Sequence, residues 1–384
     1  MAKVIPRWWL YSLMAIMMTA GTCNTMVAKI QDMQSSDGNA YWHPYFQTST
    51  MFAGEFMCLF VYLGDRAINK SQDAAPSAPK KPGFKAKLGP LIFALPAFID
   101  MCGSTLMMIG LGLTYASVYQ MLRGAIVVVV ALYSVVFLKR KLFKHHYVGV
   151  AFVTGGVVVV GLGSILVGGS GSNASNPTLG AILIVVAQFI EGGVFVIEEK
   201  FFRDIKVPPL LAVGTEGFSG LVYFCILLPI LYAIPCYNES LCSGHGHVEN
   251  FLYAFKQLGD NGLLMFTFWA YIFCISFFNW SGLSITKNAS SLHRSIIDNS
   301  RTVFVWVIDL AVGWEDFYWV QLVGFVLLIF GTVVYNEVLI LPFWGFKEAV
   351  IASREEMAKR KNQVKDNETS ADELLQVRLD EDRD

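Results

Sequence analysis

Ten stretches of about 20 mostly apolar residues recur along this chain. At 1.5 Å per residue each is long enough to cross the ~30 Å hydrocarbon layer of a bilayer as a helix. They fall near residues 8–30, 42–63, 88–111, 115–138, 147–168, 178–200, 209–234, 262–286, 289–312 and 318–340. In hydrocarbon every backbone N–H and C=O must find its partner inside the protein, so such stretches are committed to helix. Only 15% of the 384 residues are charged and the mean hydropathy is +0.50, whereas a soluble protein carries about 25% charged residues. The charges gather in short loops and a polar tail. The expected fold is an all-α polytopic membrane protein.

Orientation follows from the basic residues. Lys3 and Arg7 precede an apolar run and imitate a signal peptide, but "MTAGT" offers no A-x-A exit and apolar sequence continues to Ile30, so the first span is read as retained. Loop 64–87 carries Arg66, Lys70, Lys80, Lys81, Lys85 and Lys87; "KRKLFKHH" follows at 139–146, then Lys200, Arg203 and Lys206. The alternate loops have almost none, Lys256 in 235–261 being the exception. The positive-inside rule therefore places both termini in the cytosol. The sequons at Asn173 and Asn238 then face the lumen and are expected to be glycosylated. Those at Asn69, Asn279, Asn288 and Asn367 are expected to be silent. Cys236 and Cys242 share the largest lumenal loop, and whether they are bonded is open at this point. The other cysteines read as small apolar residues. His245 and His247 in "GHGH" are too few ligands for a metal site, so no metal or cofactor is assigned.

The chain also resembles itself. "SVYQMLRGA" and the apolar run after it, a polar break, then "YVGVAFVTGGVVVVG" share a grammar with "LHRSIIDNSRTVFVWVIDLAVG", a break, then "QLVGFVLLIFGTVVYN". This pairs Gly149 with Gly324, Gly156 with Gly331 and Arg123 with Arg301. Likewise "FAGEF" resembles "GTEGF", setting Glu55 opposite Glu216. The expected organisation is a cytosolic N-terminus (1–7), a five-helix repeat (8–168), a lumenal linker (169–177), a second five-helix repeat (178–340) and a partly disordered cytosolic tail (341–384). Five is odd, so the second repeat enters the membrane from the other side. Inverted repeats of this kind suit alternating access around a midplane site.

Ionisable groups inside the spans are the chemistry. Glu55, Asp100, Glu191, Asp298 and Arg301 each lie roughly 13–20 Å from a span end at helical rise, Arg123 lies about as deep, and Glu216 sits nearer the cytosol. Each costs at least ~2.5–3.5 kcal/mol at a helix centre, so each should face a partner or a wet cavity. Gln120 and Arg123 share one helix face, as do Asp298 and Arg301. Arg123 has no acidic residue within ten positions. Either another helix supplies a carboxylate such as Glu55 or Asp100, or the arginine forks flank a cavity and bind an anionic cargo. Substrate contact is thus expected at Gln120, Arg123, Asn279, Asp298 and Arg301, with Glu55 and Glu216 as gate or counter-ion. Asp100 and Glu191 are candidates for proton coupling, or for neutral acids that hold helices together. Glu198 and Glu199, beside Lys200, read as solvated. Most glycines read as close-packing positions, and Pro96 as a kink.

The segments "MFAGEF", "DMCGSTLMMIGL", "SVYQMLRGA", "VIEEKF", "AVGTEGFSG", "FFNWSGLSITK", "DNSRTVFVW" and "GWEDF" resemble the drug/metabolite transporter superfamily and, within it, solute carrier family 35, F subgroup. The resemblance runs from the second span to residue 340. It implies ten transmembrane helices in two inverted five-helix repeats, an intracellular membrane (lysosomal first, then Golgi or another endomembrane, then mitochondrial) and an organic metabolite, nucleotide-sugar-like cargo included. In the tail, "DELLQV" lacks the acid that a dileucine sorting signal needs four residues before Leu374, where Ser370 stands. Motifs of membrane or soluble enzymes (H-E-x-x-H, G-x-S-x-G, Walker A, dinucleotide fingerprint) are absent from the sequence. The expected partners are a small-molecule substrate and the lipid bilayer, with no nucleic acid. A homodimer and a sorting adaptor on the tail are left open. The alternative is a membrane receptor or scaffold that does not transport and acts through its tail.

Overall fold

The computed structural model describes residues 7–36, 38–72, 89–113, 119, 122–167, 177–205, 207–236, 246–314, 319–335, 337, 339–340, 342 and 345–355. Its helices are α1 (Arg7–Asp32), α2 (Pro44–Gln72), α3 (Ala94–Leu113), α4 (Ile126–Val136), α5 (Lys144–Val167), α6 (Pro177–Asp204), α7 (Pro209–Ala233), α8 (Phe251–Asp260), α9 (Gly262–Asn288), α10 (Ser291–Val312) and α11 (Trp319–Tyr335). A helix lies in every expected apolar stretch. Five segments, Trp8–Asp32, Leu91–Leu111, Thr178–Asp204, Pro209–Ala233 and Gly262–Asn288, are long and apolar enough by themselves to cross a membrane. Large apolar side chains point outward: Phe60, Ile226, Phe266 and Trp319 are 61–70% exposed. Glu55, Glu191, Glu216, Asp298 and Arg301 are buried. That inside-out distribution suits a hydrocarbon surround. The chain is an all-α polytopic membrane protein.

Several local expectations are corrected. The fourth span is not one uniform α-helix, because Arg123–Ala125 form a tight 3₁₀ turn ahead of α4. A 3₁₀ stretch inside a helical run often marks a functional hinge. Pro96 falls at the start of a helix rather than within one. It is the third residue of α3, which follows a 3₁₀ turn at Gly89–Phe93, and in a first turn the missing N–H costs nothing. The last span stops at Tyr335 rather than 340. The stretch 235–261 is not simply a loop, since it holds α8, which buries Ala254 and Leu258 against Tyr41, Phe46 and Leu264. Asn261 closes α8 and caps α9, accepting from Leu263 N at 3.0 Å and Leu264 N at 3.2 Å. A two-residue hairpin, β1 (Ser35–Ser36) with β2 (Asn39–Ala40), pairs Ser35 with Ala40 beside it.

The helix neighbours form pairs: α2 packs on α7, α5 on α11, α1 on α9 and α3 on α6. Exchanging each first-half span with its second-half counterpart returns the same set. Glycines make these approaches close. A Cβ on Gly156 would lie 2.6 Å from Gly324 O, and one on Gly149 would lie 3.0 Å from Gly331 O. Gly149 therefore meets the counterpart of Gly156, and Gly156 meets the counterpart of Gly149, as a two-fold axis between α5 and α11 requires. On α7, Gly217 abuts the backbone at Glu55–Phe56 and Gly220 abuts the Phe52 ring.

Candidate functional site

A cavity of about 350 Å³ runs through the middle of the protein. Its wall comes from α1, α2, α3, α6, α7, α9, α10 and the start of α4; among the described residues α5 and α11 take no part. Arg123, Asn279, Asp298, Arg301, Glu55, Glu216, Asp100 and Glu191 all line it. Gln120, Asn173, Asn238 and Cys242 lie outside the described residues. Cys236 is disulfide-bonded.

Asp298 is the hub. Its Oδ1 lies 2.8 Å from Arg301 Nε, one turn along α10, and its Oδ2 lies 3.6 Å from Arg123 Nη2 on the facing helix. The counter-charge for Arg123 is therefore Asp298, neither Glu55 nor Asp100. One carboxylate serves two guanidinium groups. Arg301 is further fixed by donating to Gly21 O at 2.9 Å and by the Phe278 ring at 4.7 Å. Arg123 has the Tyr119 ring at 5.8 Å and keeps 21% of its side chain exposed, toward the cavity.

The carboxylates divide by partner. Asn279 Nδ2 donates to Glu55 Oε1 at 2.5 Å. Glu55 Oε2 and Glu216 Oε1 are buried with no hydrogen-bond partner among the described residues. Ser104 Oγ lies 3.0 Å from Asp100 Oδ1 and 3.2 Å from Glu191 Oε1, so one hydroxyl stands between two buried acids. Its single hydrogen can serve only one of them at a time.

Glu198 and Glu199 are not solvated; each is 3% exposed. Glu198 pairs with Arg294, whose guanidinium stacks on Phe195 at 4.0 Å. Glu199 pairs with Arg203 and Arg140 and accepts from Ser291 N at 2.8 Å and Ser291 Oγ at 2.5 Å. Arg294 is thus a third buried arginine that the sequence reading missed. Its signal was present, since it lies one helical turn before Asp298 on the face that carries Asp298 and Arg301. Lys29 also reaches the cavity, paired to Asp309 at 3.0 Å. The glycines do more than pack helices. A Cβ on Gly21 would lie 2.9 Å from Arg301 Nη1, one on Gly103 2.5 Å from Glu191 Oε1, and one on Gly282 2.9 Å from Arg294 Nε. Each vacates the volume into which a charged side chain folds.

Away from the cavity, His145, His146 and Glu337 bring donor atoms within 4.8 Å of one another. Arg354 Nε already pairs Glu337 at 2.8 Å.

The nucleotide-sugar transporter family model matches residues 8–213. The chain is 38% identical over 340 residues to solute carrier family 35 member F6 of Homo sapiens, covering 86% of this chain and 90% of that protein. With the Pongo abelii protein of the same description it shares 39% over 333 residues, covering 84% and 88%. A solved crystal structure only 12% identical shares the fold, with a TM-score of 0.53 over 86% of this chain and 96% of that one.

Proposed function

The chain belongs to the nucleotide-sugar transporter family, in solute carrier family 35, F subgroup, and from that premise we propose that it is a secondary-active transporter of a small anionic or zwitterionic metabolite. Its membrane is an intracellular one, with the lysosomal membrane ahead of the Golgi. The observation that carries the reading is Asp298 held between Arg123 and Arg301 inside a cavity. An internal carboxylate occupies the position that a cargo carboxylate or phosphate would take. Cargo enters by exchanging with Asp298, so both arginines keep an anion in every state and the cost of burying them stays bounded.

The repeat supports alternating access. The neighbour set survives exchange of the halves, and the glycine crossings pair as a two-fold axis through the membrane plane demands. Two halves of one design give inward-open and outward-open states of similar energy. The Asp100–Ser104–Glu191 group supplies the coupling. A proton on one of its two carboxyl groups is gained from one side and lost to the other as the cavity changes exposure. A scaffold acting through the tail would have no use for a charged cavity of this size.

The test is uptake into proteoliposomes against a panel of nucleotide sugars, nucleotides, amino acids and organic acids, with and without a proton gradient. An anionic or zwitterionic member should be taken up by the wild type and not by Arg123→Gln. Uptake that Arg123→Gln leaves unchanged would refute the site.

A further inference from the structure

Two ion pairs join the halves at opposite ends of the cavity, and they are built alike. At one end α10 stops at Gly313 (φ +78°), and Trp314 N donates back to Asp309 O at 2.8 Å. Asp309, in the last turn of α10, lies 3.0 Å from Lys29 near the end of α1, and the turn after it lays the Trp314 ring 4.9 Å from Lys29 Nζ. At the other end the chain leaves α4 through Lys139, a non-glycine residue with φ +48°, and Arg140 N donates back to Ser134 O at 3.1 Å. That turn puts Arg140 3.7 Å from Glu199 near the end of α6. At both ends the last turns of a half's first helix meet the close of the other half's fourth helix, with the charges swapped.

Their separation can be read along α10. Glu199 also holds Ser291, the first residue of α10, and Asp309 follows 18 positions later, about 27 Å at helical rise. That is nearly the thickness of the hydrocarbon layer. Asp298 and Arg301 lie between. The cavity therefore has a cross-half ion pair toward each end, Lys29–Asp309 in its wall and Arg140–Glu199 just past the wall residue Glu198.

We propose that Lys29–Asp309 and Arg140–Glu199 are the two gates of this cavity, broken in alternation as it opens to one side or the other. This rests on the transporter reading above. The gates are unequal here. Lys29 is 28% exposed and has Asp309 as its ion-pair partner, whereas the Glu199 carboxylate is 4% exposed and also holds Arg203 and Ser291. The face carrying Lys29 is accordingly the easier to open from this state.

The experiment places a cysteine in the cavity wall by Gln188→Cys. Its modification by a membrane-impermeant maleimide is followed in sealed vesicles of each orientation, with the modified site resolved by mass spectrometry. Lys29→Ala or Asp309→Ala should raise labelling from the Lys29 face at least threefold and lower it from the other face. Arg140→Ala, which leaves the Ser291 bond to Glu199 intact, should do the reverse. The charge swap Lys29→Asp with Asp309→Lys should return labelling to the parent rate. Equal rates across these variants, changes of the same sign on both faces, or a swap that fails to restore the parent rate would overturn the gates. Labelling from neither face in any variant would instead overturn the transporter reading.

Discussion

Replacing Asp298 with asparagine keeps its volume and removes its charge, leaving two guanidinium groups without their shared anion. Breaking a buried ion pair from one side costs about 3–5 kcal/mol. Arg301 belongs at the upper end of that range, because its side chain is 7% exposed and its remaining partners, Gly21 O at 2.9 Å and Thr25 Oγ1 at 3.4 Å, are neutral. Arg123 belongs lower, since the 21% of it that faces the cavity can be hydrated. A net loss of about 5 kcal/mol, most of it from Arg301, is expected. The readout is thermal unfolding of purified Asp298→Asn in detergent, which should melt several degrees below the parent. In Asp298→Ala, which removes the side chain as well as the charge, the vacated position should accept a small anion from solution. Acetate at a hundred times its dissociation constant would return about 2.7 kcal/mol, so melting of that variant should recover in part with acetate and not with chloride at equal ionic strength. The parent should barely respond, because Asp298 already fills the position. Reasoning of this kind fails if Asp298→Asn melts with the parent, or if acetate stabilises Asp298→Ala and the parent equally.

Arg123→Lys keeps the charge and loses the planar fork. Uptake affinity should fall about tenfold while melting moves by less than ~1 kcal/mol equivalent. Glu198→Gln strands Arg294 against Phe195, so a loss of about 3–5 kcal/mol is expected in the same melting assay, and an unchanged midpoint would count against the pair. Asp100→Asn or Glu191→Gln should make uptake insensitive to a proton gradient while counterflow exchange persists; gradient dependence surviving in both would remove the group from the coupling. Gly156→Leu should yield no monodisperse protein on size exclusion, because its Cβ would lie 2.6 Å from Gly324 O, whereas Gly155→Leu, with nothing within 4 Å of the added Cβ, should behave as the parent.

What was legible in the sequence was whatever leaves a one-dimensional trace. Twenty-residue apolar runs announce helices because hydrocarbon permits little else, and Glu55, Asp100, Arg123, Glu191, Glu216, Asp298 and Arg301 stood out because charge is rare there. Pairing was not legible. Asp298 serves Arg123 across a helix interface, and spacing along one chain says nothing about which helices face each other. Glu198 and Glu199 were misjudged for a related reason. A carboxylate near a helix end looks solvated until another helix, here α10 with Arg294 and Ser291, is known to cover it.

The crossing of α5 and α11 carries a consequence for motion. Where Gly149 faces Gly331 and Gly156 faces Gly324, backbone comes against backbone, with Tyr335 and Leu328 set into the glycine gaps and Phe152 against Phe330 beside them. Sliding one helix along the other would drive flanking residues such as Leu328 and Tyr335 into the opposing main chain. Turning about the contact point displaces far less. On the proposed alternating access, α5 and α11, which line none of the cavity among the described residues, would be its fulcrum, where a few degrees of tilt become ångströms of displacement at the ends of the lever arms.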